Sequence, residues 1–163
     1  MRRKDREITD FEQITAVMEQ CDVCHVAFQG EDYPYVVPMN FGLAVEGDEV
    51  TLYFHGAQTG KKHELMHRSN KVSFVMEHTH PIVTGPQVGE CEATMEYESV
   101  MGTGILEYVS DDEKVEGLEA ILAHYHVVEG ERYHFHQEVV PRVAVLRLRV
   151  NELTAKCRQV GRP

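Results

Sequence analysis

Tryptophan is absent from the 163 residues, cysteine occurs four times, and positive charge is short: 16 lysines and arginines face 27 aspartates and glutamates, a net charge of -11 with histidine neutral. Such an acidic surface opposes phosphate backbones and anionic lipid, so nucleic acid and membrane surfaces are excluded as general partners. Apolar runs such as residues 143–146 fall far short of the about 20 residues a spanning helix needs, and no membrane-crossing helix is expected. The charged opening Met1-Arg2-Arg3-Lys4-Asp5-Arg6 is followed by neither an apolar stretch nor a small-residue cleavage site, so it does not read as a secretory signal. The expected location is cytoplasmic. There Cys21, Cys24, Cys91 and Cys157 have little reason to oxidise, and reduced thiols are expected. Internal repeats are lacking, as is a strand–helix–strand alternation, which argues against a doubly wound sheet. Gly102-Thr103-Gly104 lacks the third glycine and the following helix of a dinucleotide-binding turn.

What is present fits one domain spanning residues 1–163. Asp10 ahead of Phe11, Ile14, Val17 and Met18, with Gln13 three positions on, predicts a capped helix to about residue 20. Strand chemistry then takes over, with strands expected over residues 23–28, 33–45 and 50–55, separated by turns at Gly30-Glu31-Asp32 and Gly47-Asp48. Pro34 and Pro38 mark the second of these as bent or at an edge. Thr59 or Gly60 opens a short helix to about residue 67. A strand over 72–77, a loop over 81–89 and a long strand over 92–109, with a bulge or corner at Gly102 and Gly104, come next. Ser110 caps a helix running to about residue 125, and residues 143–150 alternate as a half-buried strand. The expected fold is mainly β with α, an α+β arrangement of six antiparallel strands in a small barrel with helices packed outside.

Two segments could carry chemistry. In Tyr53-Phe54-His55-Gly56-Ala57-Gln58-Thr59-Gly60-Lys61-Lys62 a strand feeds small residues and a helix start bearing two lysines. Glycine permits close approach of the backbone to an anion, the helix end supplies free N–H groups, and lysine adds charge. A strand-to-helix turn with two solvated lysines is the plainer alternative. In Tyr35-Val36-Val37-Pro38-Met39-Asn40-Phe41-Gly42 the proline and glycine leave backbone groups available to the polar edge of a planar heterocycle, with Met39 against its face. An edge strand bent for packing is the alternative there.

The opening residues 1–8, Val37-Pro38-Met39-Asn40-Phe41-Gly42, Tyr53-Phe54-His55-Gly56-Ala57 with Gly60-Lys61-Lys62, and Ser99-Val100-Met101-Gly102-Thr103-Gly104 together resemble the nitroimidazole-resistance (Nim-like) branch of the pyridoxamine 5'-phosphate oxidase-related flavoproteins. The resemblance runs in order through nearly the whole chain. It implies an FMN-binding split barrel, a homodimer with flavin sites at the subunit interface, and a nitroreductase-like oxidoreductase acting on a small molecule. A non-catalytic flavin or haem protein on the same barrel, for storage or sensing, is the contrasting reading. Carried over by position, Thr59, Gly60, Lys61 and Lys62 would form the phosphate-binding turn, Gly56 and Ala57 would also bind the cofactor, and Pro38, Met39 and Asn40 would line the isoalloxazine. His55 would be the catalytic residue beside the flavin, and Ser99 and Val100 would lie at the barrel wall or the partner subunit. Gly60 stands where the vitamin B6 phosphate oxidases carry arginine, so the resemblance does not extend to that substrate.

Other patterns compete. Cys21-Asp22-Val23-Cys24-His25 matches the haem-attachment sequence of c-type cytochromes, but it reads as the first barrel strand, on which the two cysteines would face opposite ways. His78 with His80, His124 with His126, and His134 with His136 are spaced to share a face on a strand, as metal capture needs. The first pair, however, is expected to flank a loop and the second to end a helix, and no metal is assigned. Glu90, Glu92, Glu96 and Glu98 read as a solvated strand face.

Overall fold

The computed structural model describes residues 3–84, 93–126, 133 and 135–159. Eight strands, β1 (Glu7–Ile8), β2 (Cys24–Phe28), β3 (Tyr35–Met39), β4 (Gly42–Glu46), β5 (Glu49–Gly56), β6 (Lys71–Val83), β7 (Thr94–Tyr108) and β8 (Ala144–Arg158), form one antiparallel sheet. Three helices accompany it: α1 (Phe11–Glu19), α2 (Lys61–Arg68) and α3 (Lys114–His124). The strand order is β3-β2-β6-β7-β8-β5-β4, with β1 added to β8. The two outermost strands of that path, β3 and β4, are consecutive in the chain and separated only by Asn40 and Phe41, so the sheet must curl round until its edges approach. That is a split barrel.

Six expected strands become eight for two reasons. Asn40-Phe41 divides the segment expected to be continuous over 33–45 into β3 and β4, and Glu7–Ile8 pairs with Lys156 and Ala155, too short a strand to leave an alternating pattern. The strand expected to end at Val150 continues to Arg158; its alternation broke off at Val150 because its inward parity changes there. Ala144, Leu146 and Leu148 are buried before Asn151, and Ala155 after it. The register steps from Gly104 opposite Val150 to Thr103 opposite Glu152, so Asn151 is the extra residue of a bulge and flips every side chain beyond it. A Cβ on Gly104 would lie 2.2 Å from the Arg149 carbonyl oxygen, which is why this turn of the ladder carries glycine. β6 likewise runs past residue 80 where a loop over 81–89 was expected, and residues 85–89 lie outside the described residues.

Val26, Phe28, Phe41, Leu52, Phe54, Phe74, Met76, Val100, Leu106, Leu146 and Leu148 fill the barrel, and α1 closes over it with Ile14, Val17 and Met18. The Asp10 carboxylate accepts the Gln13 N–H at 2.9 Å and caps α1. α3 covers the outside of β5 and β8, where Ile121 meets Tyr53 and Val145. The expected cap at Ser110 is a capping box with Glu113: the Ser110 N–H donates to Glu113 Oε2 at 3.2 Å. Arg147 of β8 donates to Glu113 Oε1 at 3.0 Å, tying α3 to the sheet. These bonds to Ser110 and Arg147 hold the Glu113 carboxyl below its ordinary range.

Cys21 and Cys24 do not face opposite ways; both are buried. Cys21 precedes β2 at the end of α1, where its thiol donates to the Val17 carbonyl at 3.2 Å, and Cys24 starts the inward row of β2. Burial, helped by the charges of Glu77, Asp22 and Glu98, pushes the Cys21 thiol up to about 12, and burial likewise raises Cys24. Such thiols suit neither haem attachment nor redox exchange. Alkylation of the native protein at pH 8–9 is therefore expected to leave Cys21 and Cys24 unmodified while half-buried Cys157 reacts, as peptide mass mapping will show. The same shift has a stability consequence. Unfolded thiols ionise from about pH 8.5, the folded Cys21 thiol only near 12, so its protonated-state stabilisation is complete below about 8.5 and is lost as pH rises between these values.

Candidate functional site

β5 points Leu52 and Phe54 into the barrel, which fixes the strand firmly up to its last two residues. His55 and Gly56 still pair with Val145 and Ala144 of β8, and residues 57–60 then turn the chain into α2. Gly60, the residue before the helix, has φ of 128°, a conformation that side chains resist. Having no side chain, it leaves the first helical N–H groups uncapped, while its carbonyl accepts from the His63 and Glu64 N–H groups at 3.0 and 3.3 Å. A Cβ at Gly56 would lie 2.6 Å from Lys62 Nζ. Glycine at 56 is thus the condition for Lys62 to lie over the strand end. Lys61 Nζ stands 5.8 Å from the centre of the Tyr35 ring at the start of β3, a cation–π contact linking the turn to the sheet edge.

Sequence reasoning missed the residue that holds this turn. His63 is buried; its Nε2–H donates to the Ala57 carbonyl at 2.7 Å, and in the neutral ring Nδ1 accepts the Tyr108 hydroxyl at 2.6 Å. Because a carbonyl can only accept, the partner fixes the tautomer. The available signal was its place three residues before Met66, on the inward stripe of a short helix whose other members are apolar.

The remaining expected residues divide. Pro38 is exposed on β3. Met39 packs into the barrel core, so its side chain is turned away from an external ring. The Asn40 side-chain amide donates to the Tyr125 hydroxyl at 3.2 Å and the Asp22 carbonyl at 3.4 Å, and the Phe41 N–H donates to the same hydroxyl at 3.1 Å. Asn40 thereby belongs to the junction between the β3–β4 break and α3. Ser99 and Val100 are neighbours on β7: Val100 is wholly inside the core, while the buried Ser99 hydroxyl has no hydrogen-bond partner among the described residues. His55 is exposed, and strand alternation sends it to the face opposite the one from which Lys62 covers Gly56.

A cleft of about 380 Å³ adjoins the turn between α2 and the β2–β3 connection, with Tyr35, Lys61, Glu64 and Arg68 among its walls. Arg68 is ion-paired with Glu31 at its rim, leaving Lys61 as the cation facing the turn. Uncapped N–H groups, small residues and the Lys62 ammonium, with Lys61 at the adjoining cleft, suit a phosphate monoester. The residues present therefore fit the phosphate of a flavin mononucleotide.

The histidine pairs also resolve. His124 ends α3, donating from Nε2 to the Cys21 carbonyl at 2.9 Å and packing on Phe41 with ring centres 4.2 Å apart. His134 lies outside the described residues, as do Cys91, Glu90 and Glu92. His78 and His80 lie on β6 rather than flanking a loop, and Glu98 is hydrogen-bonded to His80 rather than solvated.

Comparison with known proteins adds three findings. Residues 10–157 match the profile of the family described as pyridoxamine 5'-phosphate oxidase. No curated protein sequence matches. Among solved structures, a candidate 5-nitroimidazole antibiotic resistance protein from Bacteroides thetaiotaomicron is similar at 32% identity and TM-score 0.77, over 93% of this chain and 86% of that one. The flavocytochrome Anf3 of Azotobacter vinelandii, 21% identical, has TM-score 0.78 over 98% of this chain and 72% of its own. An FAD- and haem-binding protein from Mycobacterium smegmatis, 17% identical, has TM-score 0.77 over 94% and 74%. The last two likenesses are of fold.

Proposed function

The chain belongs to the pyridoxamine 5'-phosphate oxidase family, and from that premise we propose that it is an FMN-binding flavoprotein, an oxidoreductase of nitroreductase-like type acting on a small molecule. The observation that carries this reading is the β5–α2 turn, where uncapped N–H groups of α2 and the Lys62 ammonium meet small residues and Lys61 stands at the adjoining cleft. In it the backbone of Gly56, Ala57, Thr59 and Gly60 admits the phosphate closely, and the two lysines neutralise it. Pro38 offers an exposed face on β3 for the ring system. Met39, Asn40 and Val100 contribute main chain only, since their side chains are committed elsewhere, and the Ser99 hydroxyl is a spare donor.

Bound flavin supplies hydride or one-electron transfer. In this reading His55, exposed on the face of β5 opposite Lys62, holds or delivers a proton at an imidazole nitrogen as negative charge develops on a reduced substrate. One chain offers an open shelf rather than an enclosed pocket. Its exposed Val36 and Met101, 53% and 48% accessible, give a second copy apolar surface to cover, so the working unit of this reading is a homodimer with flavin sites at the interface. The likeness to the nitroimidazole-resistance protein supports a nitroaromatic substrate class.

The visible spectrum of the purified protein, with flavin absorption near about 450 nm expected, tests the cofactor; a Soret band alone would assign haem instead. Reoxidation of the dithionite-reduced protein by a 5-nitroimidazole, followed anaerobically in a stopped-flow instrument, tests the chemistry. His55→Ala is expected to slow that step by about ten- to a hundredfold with thermal unfolding near wild type. Unchanged rates with a large melting shift would remove His55 from the site.

A further inference from the structure

We propose that His78, His80 and Glu98 form a binding site for a divalent transition-metal cation of the zinc class, separate from the flavin cradle. Val72, Phe74 and Met76 form the buried inward row of β6, and period-two alternation continues that row into His78 and His80. The two imidazoles thus follow directly on the barrel core. Glu98 on β7 stands in register opposite His78, two residue pairs beyond Val100 opposite Met76. A bulge between Thr79 and Ile82 breaks the register beside His80, the kind of irregularity that re-aims a side chain.

The resulting geometry gathers ligand atoms. His80 Nε2 lies 2.9 Å from Glu98 Oε2, the His78 and His80 rings meet edge to face with centres 4.8 Å apart, and one ligand atom from each of the three residues falls within 4.8 Å of the others. A cation with metal–ligand distances of about 2.0–2.2 Å holds its ligands somewhat closer than that, within reach of small side-chain rotations. The set is two imidazole nitrogens and one carboxylate. That combination favours zinc, cobalt or ferrous iron over calcium or magnesium, and leaves a position for water or an exogenous ligand. All three residues are partly accessible, so an ion can enter from solvent. Among the described residues no other group of three such ligands comes together. His78 is roughly 23 Å along the strand from Lys71, just past the end of α2, while Glu98 adjoins Ser99, which the flavin reading uses; metal titration reads this site whether or not flavin binds.

The test uses the full chain, stripped with a chelator and titrated with zinc against a chromophoric competitor, with whatever flavin it retains. One tightly held zinc per chain is expected. Glu98→Gln and His80→Gln are each expected to weaken it by at least about tenfold, whereas His136→Gln, distant in sequence, should leave it unchanged. Zinc should raise the melting temperature of the wild type and not of Glu98→Gln, which separates a lost ligand from a lost fold. Should either variant fail to fold, cobalt substitution in the wild type still decides: intense visible d–d bands of a four- or five-coordinate ion support the site. Absence of tight binding, weak octahedral cobalt bands, or zinc affinity unchanged in Glu98→Gln and His80→Gln would each overturn it.

Discussion

Replacing both Lys61 and Lys62 by alanine is expected to lower FMN affinity by about a hundredfold or more while leaving the fold intact. Each charge-assisted contact to a phosphate oxygen contributes about 1.5–3 kcal/mol, and each 1.4 kcal/mol is about tenfold in affinity. The two losses will not be strictly additive, because adjacent lysines serving one anion are coupled. Stability should be spared. Lys61 is exposed and Lys62 only half-buried, and neither belongs to the core. Salt gives a second reading of the same contact: wild-type affinity should fall with ionic strength, and the double variant should lose most of that dependence. Flavin-fluorescence titration at two salt concentrations measures both. Wild-type affinity in the double variant would remove the β5–α2 turn as the phosphate site.

The other large effect concerns the strand beneath that turn. Phe54→Ala is expected to cost about 3–5 kcal/mol of unfolding free energy, the range for deleting a buried phenyl ring. Phe54 is wholly buried, and lies one residue from His55 and two from Gly56. For a domain of ordinary stability, about 5–15 kcal/mol in all, this is a large share. A cavity at this position would loosen the end of β5, so FMN affinity should fall as well, although Phe54 touches no proposed flavin group. Urea unfolding should show a lowered midpoint at unchanged slope. A loss under about 1 kcal/mol would mean that the core closes round the missing ring.

These two positions also show what could be read from the sequence. The inward row of β5 and the glycines, lysines and helix start after it are local features, carried by alternation and by residues with strong backbone preferences. The capping box at Ser110 and the bulge beside Gly104 are of the same kind. What escaped was set by distant parts of the chain. Asn151 changes the inward parity of β8, so a strand of regular period ended, for the sequence, at Val150. Glu7–Ile8 is a strand only because Lys156 and Ala155 lie beside it. His63 acquires its role from Tyr108, 45 residues away, and from the Ala57 carbonyl. Asn40 looked like a ligand-facing residue because its bond to Tyr125 crosses 85 residues. His78 and His80 looked like loop flanks because Pro81 suggested a break, yet Ile82 and Val83 still pair with Met95 and Thr94.

β8 has three partners, β7, β5 and β1, yet among the described strands it is the last to be synthesised. Until residues 144–158 emerge, β5 and β7 have no neighbour on that side, and Glu7 waits for Lys156. The nascent chain therefore holds two separate sheets, β3-β2-β6-β7 and β5-β4, whose bare β7 and β5 edges are templates for pairing with other chains. Closure cannot proceed gradually as synthesis advances; it is deferred to the arrival of one segment that joins three others together. A chain interrupted before residue 144 would thus be a sheet opened along its centre, a substrate for chaperones or proteases rather than a smaller folded protein.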